Sequence, residues 1–390
     1  MGRSPLGIVF LTVFLDLVGF GIVIPLLPLY AQRFGAGAVA VAWLLAIYSL
    51  MQFLFAPAWG RLSDRIGRRP VLLVGLFGSA ASYLACGLAG SLPLLFAARA
   101  LNGVAGANIG VAQAYVADVT RPEERAKGMG MIGAAFGLGF IIGPALGGIL
   151  SRWGFEAPFL FAAALTLANA VLAVFRLPES LPAERRAARP RGLTLADRTR
   201  ALFSRETPGQ LRALYLAGFL FTLAIAAAEG TFSLWADARW NATGELVAYV
   251  FVYLGVVSVV AHVGVAGRLV RGIGERRAAL AGLGGVAAGM VVAALAASWP
   301  ALLAGLGLMA LGQGIASPAV SSLISRQGGP AEQGRVLGIF QSLSALARAA
   351  GPVAGGVALA HVSLAAPFLS ASIVTAAAAL VLILIAKAFA

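Results

Sequence analysis

Four ionisable side chains stand inside apolar runs: Asp16, Arg99, Glu229 and Arg348. Each costs at least ~2.5–3.5 kcal/mol to place in lipid, so each should face a cavity or a partner. Two acids and two bases can neutralise one another, or they can move protons. Burial raises a carboxyl pKa, and an approaching Arg lowers it. A change in Arg distance between two states would then load and release a proton at Asp16 or Glu229. Static ion pairs that fix helix packing are the competing reading. Arg348 can instead hold an anionic substrate.

A second set of charges lies in Gly60 to Arg69, GRLSDRIGRR. It reads as a short charged loop between two apolar runs. Gly60 and Gly67 permit a tight turn and a close approach of helices. Asp64 can pair with Arg68, and Asp118 closes the fourth apolar run on the same side. An Asp64–Arg68–Asp118 cluster would tie the second, third and fourth helices together when a cytoplasmic mouth is closed. Exposed ion pairs contribute only about 0–1 kcal/mol, which suits a gate that must open repeatedly. The plainer reading is a turn with positive charge. A near copy, GRLVRGIGER, starts at Gly267, with Arg271 where the first has Asp64.

The elements that must position these residues are membrane helices. Of 390 residues, 60% are hydrophobic and 11% charged, with a mean hydropathy of +0.91. A soluble domain could not hide that much apolar surface. Twelve runs read as spans, at about 6–30, 39–59, 70–90, 92–117, 127–150, 157–177, 211–236, 245–266, 277–298, 300–325, 335–360 and 363–386. The 49 glycines suit helices that pack closely in lipid. The first run is too long for a cleavable signal and reads as an uncleaved anchor.

The formal charge of +14 follows the membrane. Assigned by loop, 24 of the 29 Lys and Arg fall on the side of the termini, three on the opposite side and two within spans. This is the positive-inside distribution, so both termini are expected in the cytoplasm. It makes a nucleic-acid partner unnecessary, and no binding motif accompanies the charge. The lone Cys86 cannot form an intrachain disulfide. His262 and His361 have no ligand spacing, so neither a metal, a cofactor nor an enzymatic constellation is expected.

The chain divides at a polar stretch. Residues 1–177 form one six-helix bundle, 178–208 a cytoplasmic linker, and 209–390 a second six-helix bundle. In the linker, Leu193, Leu195, Ala196, Leu202 and Phe203 alternate with Arg198 and Arg200, which fits a short amphipathic helix or a solvated connection. Gly60 maps to Gly267, and the GPALGG at Gly143 maps to the GPVAGG at Gly351. Parallel repeats of this kind build many secondary transporters, with substrate held near the midplane. Within the first of these motifs, Gly139, Gly143 and Gly147 share one helix face, and Pro144 bends the helix.

These motifs, in this order, resemble the major facilitator superfamily over essentially the whole chain. GRLSDRIGRR looks like the signature loop between the second and third helices. Arg99-Ala-Leu-Asn102-Gly103-Val-Ala-Gly106 resembles the Arg-and-glycine pattern of the fourth span, with Asn102 where Gln is usual. Gly139-Phe-Ile-Ile-Gly143-Pro144-Ala-Leu-Gly147-Gly148 resembles the antiporter signature of drug/proton exchangers, a face that the resemblance implies seals against leak. Asp16, Pro25 and Pro28, and AYVADVT ending at Thr120, are similar to tetracycline/proton antiporters and their drug-exporter relatives. In that family the acid of the first span and the Arg of the fourth serve proton coupling. Tetracycline exporters also carry an acid in the ninth span, and residues 277–298 contain none.

Polar and aromatic side chains at helical spacing could line a pocket. Tyr48 and Gln52 share a face with Phe55 and Trp59. Asn102 and Gln113 roughly share one with Arg99. Phe136 and Phe140 share another, and Gln313, Ser317 and Gln341 offer polarity in the second half. For each of them, ordinary helix packing is the competing reading. An apolar, aromatic cavity with few charges suits lipophilic substrates. The expectation is an all-α membrane protein of twelve helices in two pseudo-symmetric six-helix bundles. It would be a monomer of the inner membrane, in contact with lipid, exporting small amphipathic drug-like compounds against protons. A metabolite or lipid transporter of the same fold is the alternative.

Overall fold

A computed structural model describes residues 5–121, 125–182, 208–327 and 333–388. Among these residues the chain is helical, with twelve helices long and apolar enough to cross a membrane. They are α1 (Leu6–Val23), α2 (Ala38–Ile66), α3 (Arg68–Gly87), α4 (Leu92–Val119), α5 (Met131–Trp153) and α6 (Glu156–Arg176). The second six are α7 (Gly209–Trp240), α8 (Gly244–Ile273), α9 (Glu275–Leu295), α10 (Trp299–Ser325), α11 (Val336–His361) and α12 (Ala366–Ile385). The linker helix expected around Leu193–Phe203 lies outside the described residues.

Local chemistry sets the breaks between helices. The first apolar run is two helices: α1 stops at Val23, and a short helix, Leu27–Gln32, begins with Pro28 in its first turn. Pro25 lies in the turn between them, where its missing N–H costs least. The second run is longer than its apolar residues suggest. Helix continues through Gly60, Asp64 and Arg65 to Ile66, so most of the charged stretch is helix and not loop. Only Gly67 breaks it, at φ 109°, a conformation that favours glycine. Gly274 repeats this break between α8 and α9 at φ 83°. Ser298 caps α10 by accepting the Ala301 N–H.

Two compact units emerge. One comprises Met1–Ala36, Ile47–Leu195 and Thr243–Val252; the other comprises Gly37–Ala46, Ala196–Ala242 and Tyr253–Ala390. Within the first, α5 lies against α1 through its glycines. A Cβ on Gly143 would come within 2.7 Å of the Gly21 backbone, and one on Gly147 within 2.7 Å of the Ile22 carbonyl. Within the second, Gly351 and Gly355 approach Leu223 and Ala227 of α7 in the same way. In α9 and α10, Gly282 and Gly289 face Gly312 and Gly305 with backbones nearly touching. Van der Waals packing over such faces is what joins helices in lipid, where water no longer drives them together.

Candidate functional site

Arg99 is the centre of the first unit's polar cluster. It is buried, at 3% exposure. Its Nη1 donates to Asn102 Oδ1 at 2.9 Å, one helical turn further along α4. The guanidinium lies 4.3 Å from the Tyr48 ring centroid and 5.7 Å from that of Phe20. Phe20 in turn packs on Tyr48 (5.0 Å) and edge-on to Phe140 (6.0 Å). Such cation–π contacts contribute up to about 2 kcal/mol when desolvated. Gly106 begins a short 3₁₀ turn that breaks α4, and the Tyr48 hydroxyl sits against it. Gln52 donates to the Gly106 carbonyl at 3.1 Å and reaches the Tyr48 hydroxyl at 3.4 Å.

Asp16 lies on α1 in the same neighbourhood. It is partly buried, and its Oδ1 is shielded from solvent without a hydrogen-bond partner. No ion pair joins it to Arg99, whose Nε is likewise unpartnered. Tyr83 of α3, buried at 2% exposure, stands close to Asp16, Tyr48, Arg99 and Asn102. The structure therefore brings Asp16, Tyr48, Gln52, Arg99, Asn102 and Phe140 together. Phe136 is placed elsewhere, packed on the cluster that contains Val13, Leu72 and Tyr115. Gln113 lies beyond the 3₁₀ break and is only partly buried.

In the second unit, Gln313 Nε2 donates to Glu229 Oε1 at 3.4 Å, linking α10 to α7. Arg348 is partly buried on α11, and Gln341 is exposed.

The cytoplasmic-gate candidates converge on Arg68, also buried at 3%. Its Nη2 lies 2.7 Å from Asp64 Oδ1 and its Nε 3.2 Å from Asp118 Oδ2. Its Nη1 donates to Ser63 Oγ at 2.5 Å. Ser180 donates to the same Asp118 oxygen at 3.4 Å. The Glu179 carboxylate accepts the backbone N–H groups of Arg68 (2.8 Å) and Arg69 (3.3 Å), at the start of α3. Gly67 supplies the turn that exposes them. Gly60 has nothing within 4 Å of a would-be Cβ, so its lack of a side chain serves no contact here. Gly139, Gly143 and Gly147 face α1, while Gly148 faces Ala248 of α8.

Four participants escaped the sequence reading: Phe20, Tyr83, Glu179 and Ser180. Phe20 lies four residues beyond Asp16, one turn along the same helix face, and that spacing was the available signal. Glu179 follows Pro178 directly after α6, where a helix-stopping Pro and an acid mark a cap, but its target lies more than a hundred residues away.

The Major Facilitator Superfamily profile matches residues 9–271 and 214–388. The chain belongs to that superfamily. Among its major facilitator relatives, the class C tetracycline resistance protein of Escherichia coli is 34% identical over 346 residues, covering 88% of this chain and 86% of that protein. Multidrug resistance protein 2 of Bacillus subtilis is 31% identical over 368 residues, covering 93% and 90%. The crystal structure of the human organic anion transporter MFSD10 (TETRAN) superposes with a TM-score of 0.76 at 28% identity, covering 98% and 99%. The protein is thus a multi-pass major facilitator transporter of small molecules and not an enzyme.

Proposed function

We propose that this transporter exports small amphipathic compounds in exchange for protons, by alternating access. Support comes first from Asp16, an acid in the middle of α1 with one oxygen shielded and unpartnered. An acid inside the membrane is retained for a pathway or a partner, and Asp16 has no basic partner at Arg99. Glu229 is the second proton candidate; among the described residues the neutral Gln313 amide donates to it. The aromatic wall of Phe20, Tyr48 and Phe140 offers an apolar surface to substrate, and Arg99 and Asn102 offer polarity. Relatives named for tetracycline and multidrug resistance carry this reading toward drug-like substrates. The Arg68 cluster would hold α2, α3 and α4 as one body during the gating motion. The reading divides the chain into bundles at 1–177 and 209–390, and places a monomer in the inner membrane with both termini cytoplasmic.

The alternative is a metabolite or lipid transporter of the same fold, favoured by the lack of any acid between residues 277 and 298. Everted vesicles separate the two. Under an imposed proton gradient, accumulation of a fluorescent amphipathic compound should occur and collapse with a protonophore. Accumulation that ignores the protonophore would support the alternative.

A further inference from the structure

The face that α6 turns to α1 carries two fully buried polar side chains. Thr166 and Asn169 lie one turn apart on α6, at 0% and 1% exposure. Asn169 Nδ2 donates to the Thr12 carbonyl at 2.8 Å. That carbonyl can only accept, so it fixes the amide and leaves Oδ1 for another donor. Residues 5–23 are α-helical, so the carbonyl of Thr12 points at the N–H of Asp16. The Asn169 amide therefore sits beside α1 at the level of Asp16. One turn further along α1, a Cβ on Gly19 would lie 2.9 Å from Thr166 Oγ1 and 3.5 Å from the Tyr83 ring. Thr12, Asp16 and Gly19 share one face of α1, so Asp16 stands between these two contacts along the seam.

Thr166 departs from the habit of the other helical threonines. Thr120, Thr222, Thr231 and Thr375 each donate the hydroxyl to the carbonyl four residues earlier. The Thr166 hydroxyl instead faces Gly19 of α1, where only a glycine leaves it room. Thr166 Oγ1, Asn169 Oδ1 and Asp16 Oδ1 are all shielded from solvent and, among the described residues, without a hydrogen-bond partner. Buried polar atoms left so are costly, and three along one seam point to a shared proton. The other elements bring few charges here. Tyr83 of α3 stands closest, with Arg99 of α4 and Tyr48 of α2 around it. Helix α5 meets α1 through Gly139 and Gly143.

We propose that Asn169 and Thr166 are positioning residues that set the proton affinity of Asp16 in opposite senses. Asn169 Oδ1 accepts from the carboxylic acid and has nothing to offer the carboxylate. The Thr166 hydroxyl donates to the carboxylate. A hydrogen bond to one protonation state favours that state, so Asn169 holds the proton and Thr166 helps it leave. The two residues are three apart, about 4.5 Å along the helix axis. A slide of α1 along α6 by that much hands Asp16 from one to the other, which ties the proton to the transport motion. The inference rests on the reading of Asp16 as a proton carrier, and the proton is the one that the proposed exchange supplies.

The test is an infrared pH titration of the full chain in detergent, reading the carboxylic C=O band that Asp16→Asn removes. Asn169→Leu should weaken proton binding at Asp16 by roughly threefold to tenfold, the worth of one hydrogen bond, and Thr166→Val should tighten it by a similar factor. Opposite signs are the signature, because loosened packing alone moves both variants the same way or neither. Thr166→Val keeps the side chain's shape, so its shift can be read even where Asn169→Leu does not fold. A shift of the same sign in both, or a Thr166→Val titration that is unchanged or weakened, overturns the inference while Asp16 remains a proton carrier. The lack of any titrating band that Asp16→Asn removes would overturn the inference together with the role of Asp16 on which it rests.

Discussion

Arg99 is paired to Asn102 at 2.9 Å and makes no ion pair with Asp16. Its charge rests on an amide and on two aromatic faces, chiefly Tyr48 at 4.3 Å. Among the described residues Asp16 has no ion-pair partner, which fits the proposed proton carrier better than a static packing pair.

The Tyr48 ring should therefore matter more than its hydroxyl. Tyr48→Leu removes the cation–π face and is expected to lower stability in detergent by about 1–2 kcal/mol. Tyr48→Phe loses only the 3.4 Å contact from Gln52 and should cost well under that. Thermal melting of the two variants reads the difference.

Arg68 is the tighter centre. Removing one partner of a buried ion pair costs about 3–5 kcal/mol, because the other charge is left uncompensated. Arg68→Ala takes the guanidinium from Asp118, which is 10% exposed and keeps the Ser180 hydroxyl, and should fall at the lower end of that range. Arg68→Lys should recover only part of it, since one ammonium cannot meet Asp64, Ser63 and Asp118 in the directions the guanidinium does.

Glu179→Ala leaves the first N–H groups of α3 uncapped. The expected cost is about 1 kcal/mol, with faster hydrogen exchange at Arg68 and Arg69 and no change at the far end of α3.

Two signature glycines should respond oppositely. Gly143→Val drives a side chain into the Gly21 backbone, 2.7 Å from the first added carbon, and should abolish folded protein in a detergent size-exclusion assay. Gly60→Ala meets open space inside a helix and should be neutral or stabilising by up to about 1 kcal/mol.

These contrasts show where sequence was informative. Hydropathy alone located twelve spans, because lipid demands long apolar helices. The meeting of Asp64, Arg68 and Asp118 was also legible, since all three sit at helix ends on one side. Gly60 misled because charge implied a loop, whereas Ser63, Asp64 and Arg65 extend the helix beyond its apolar part. Phe136 and Phe140 were grouped by the helical period, yet they pack in different places. Period fixes a face on one helix and says nothing of what crosses it at each level. Glu179 and Tyr83 reach their neighbours only through tertiary packing, which spacing does not encode.

Proton exchange at the acids of the spans is the step on which the proposed transport cycle depends. The direct measurement is proton release from purified protein in weakly buffered detergent, on adding each of a panel of amphipathic compounds. Release is expected with at least one compound, and its loss in Asp16→Asn or in Glu229→Gln while the compound still binds. Transport of a bound compound with no proton release, or release unchanged in both variants, would contradict it.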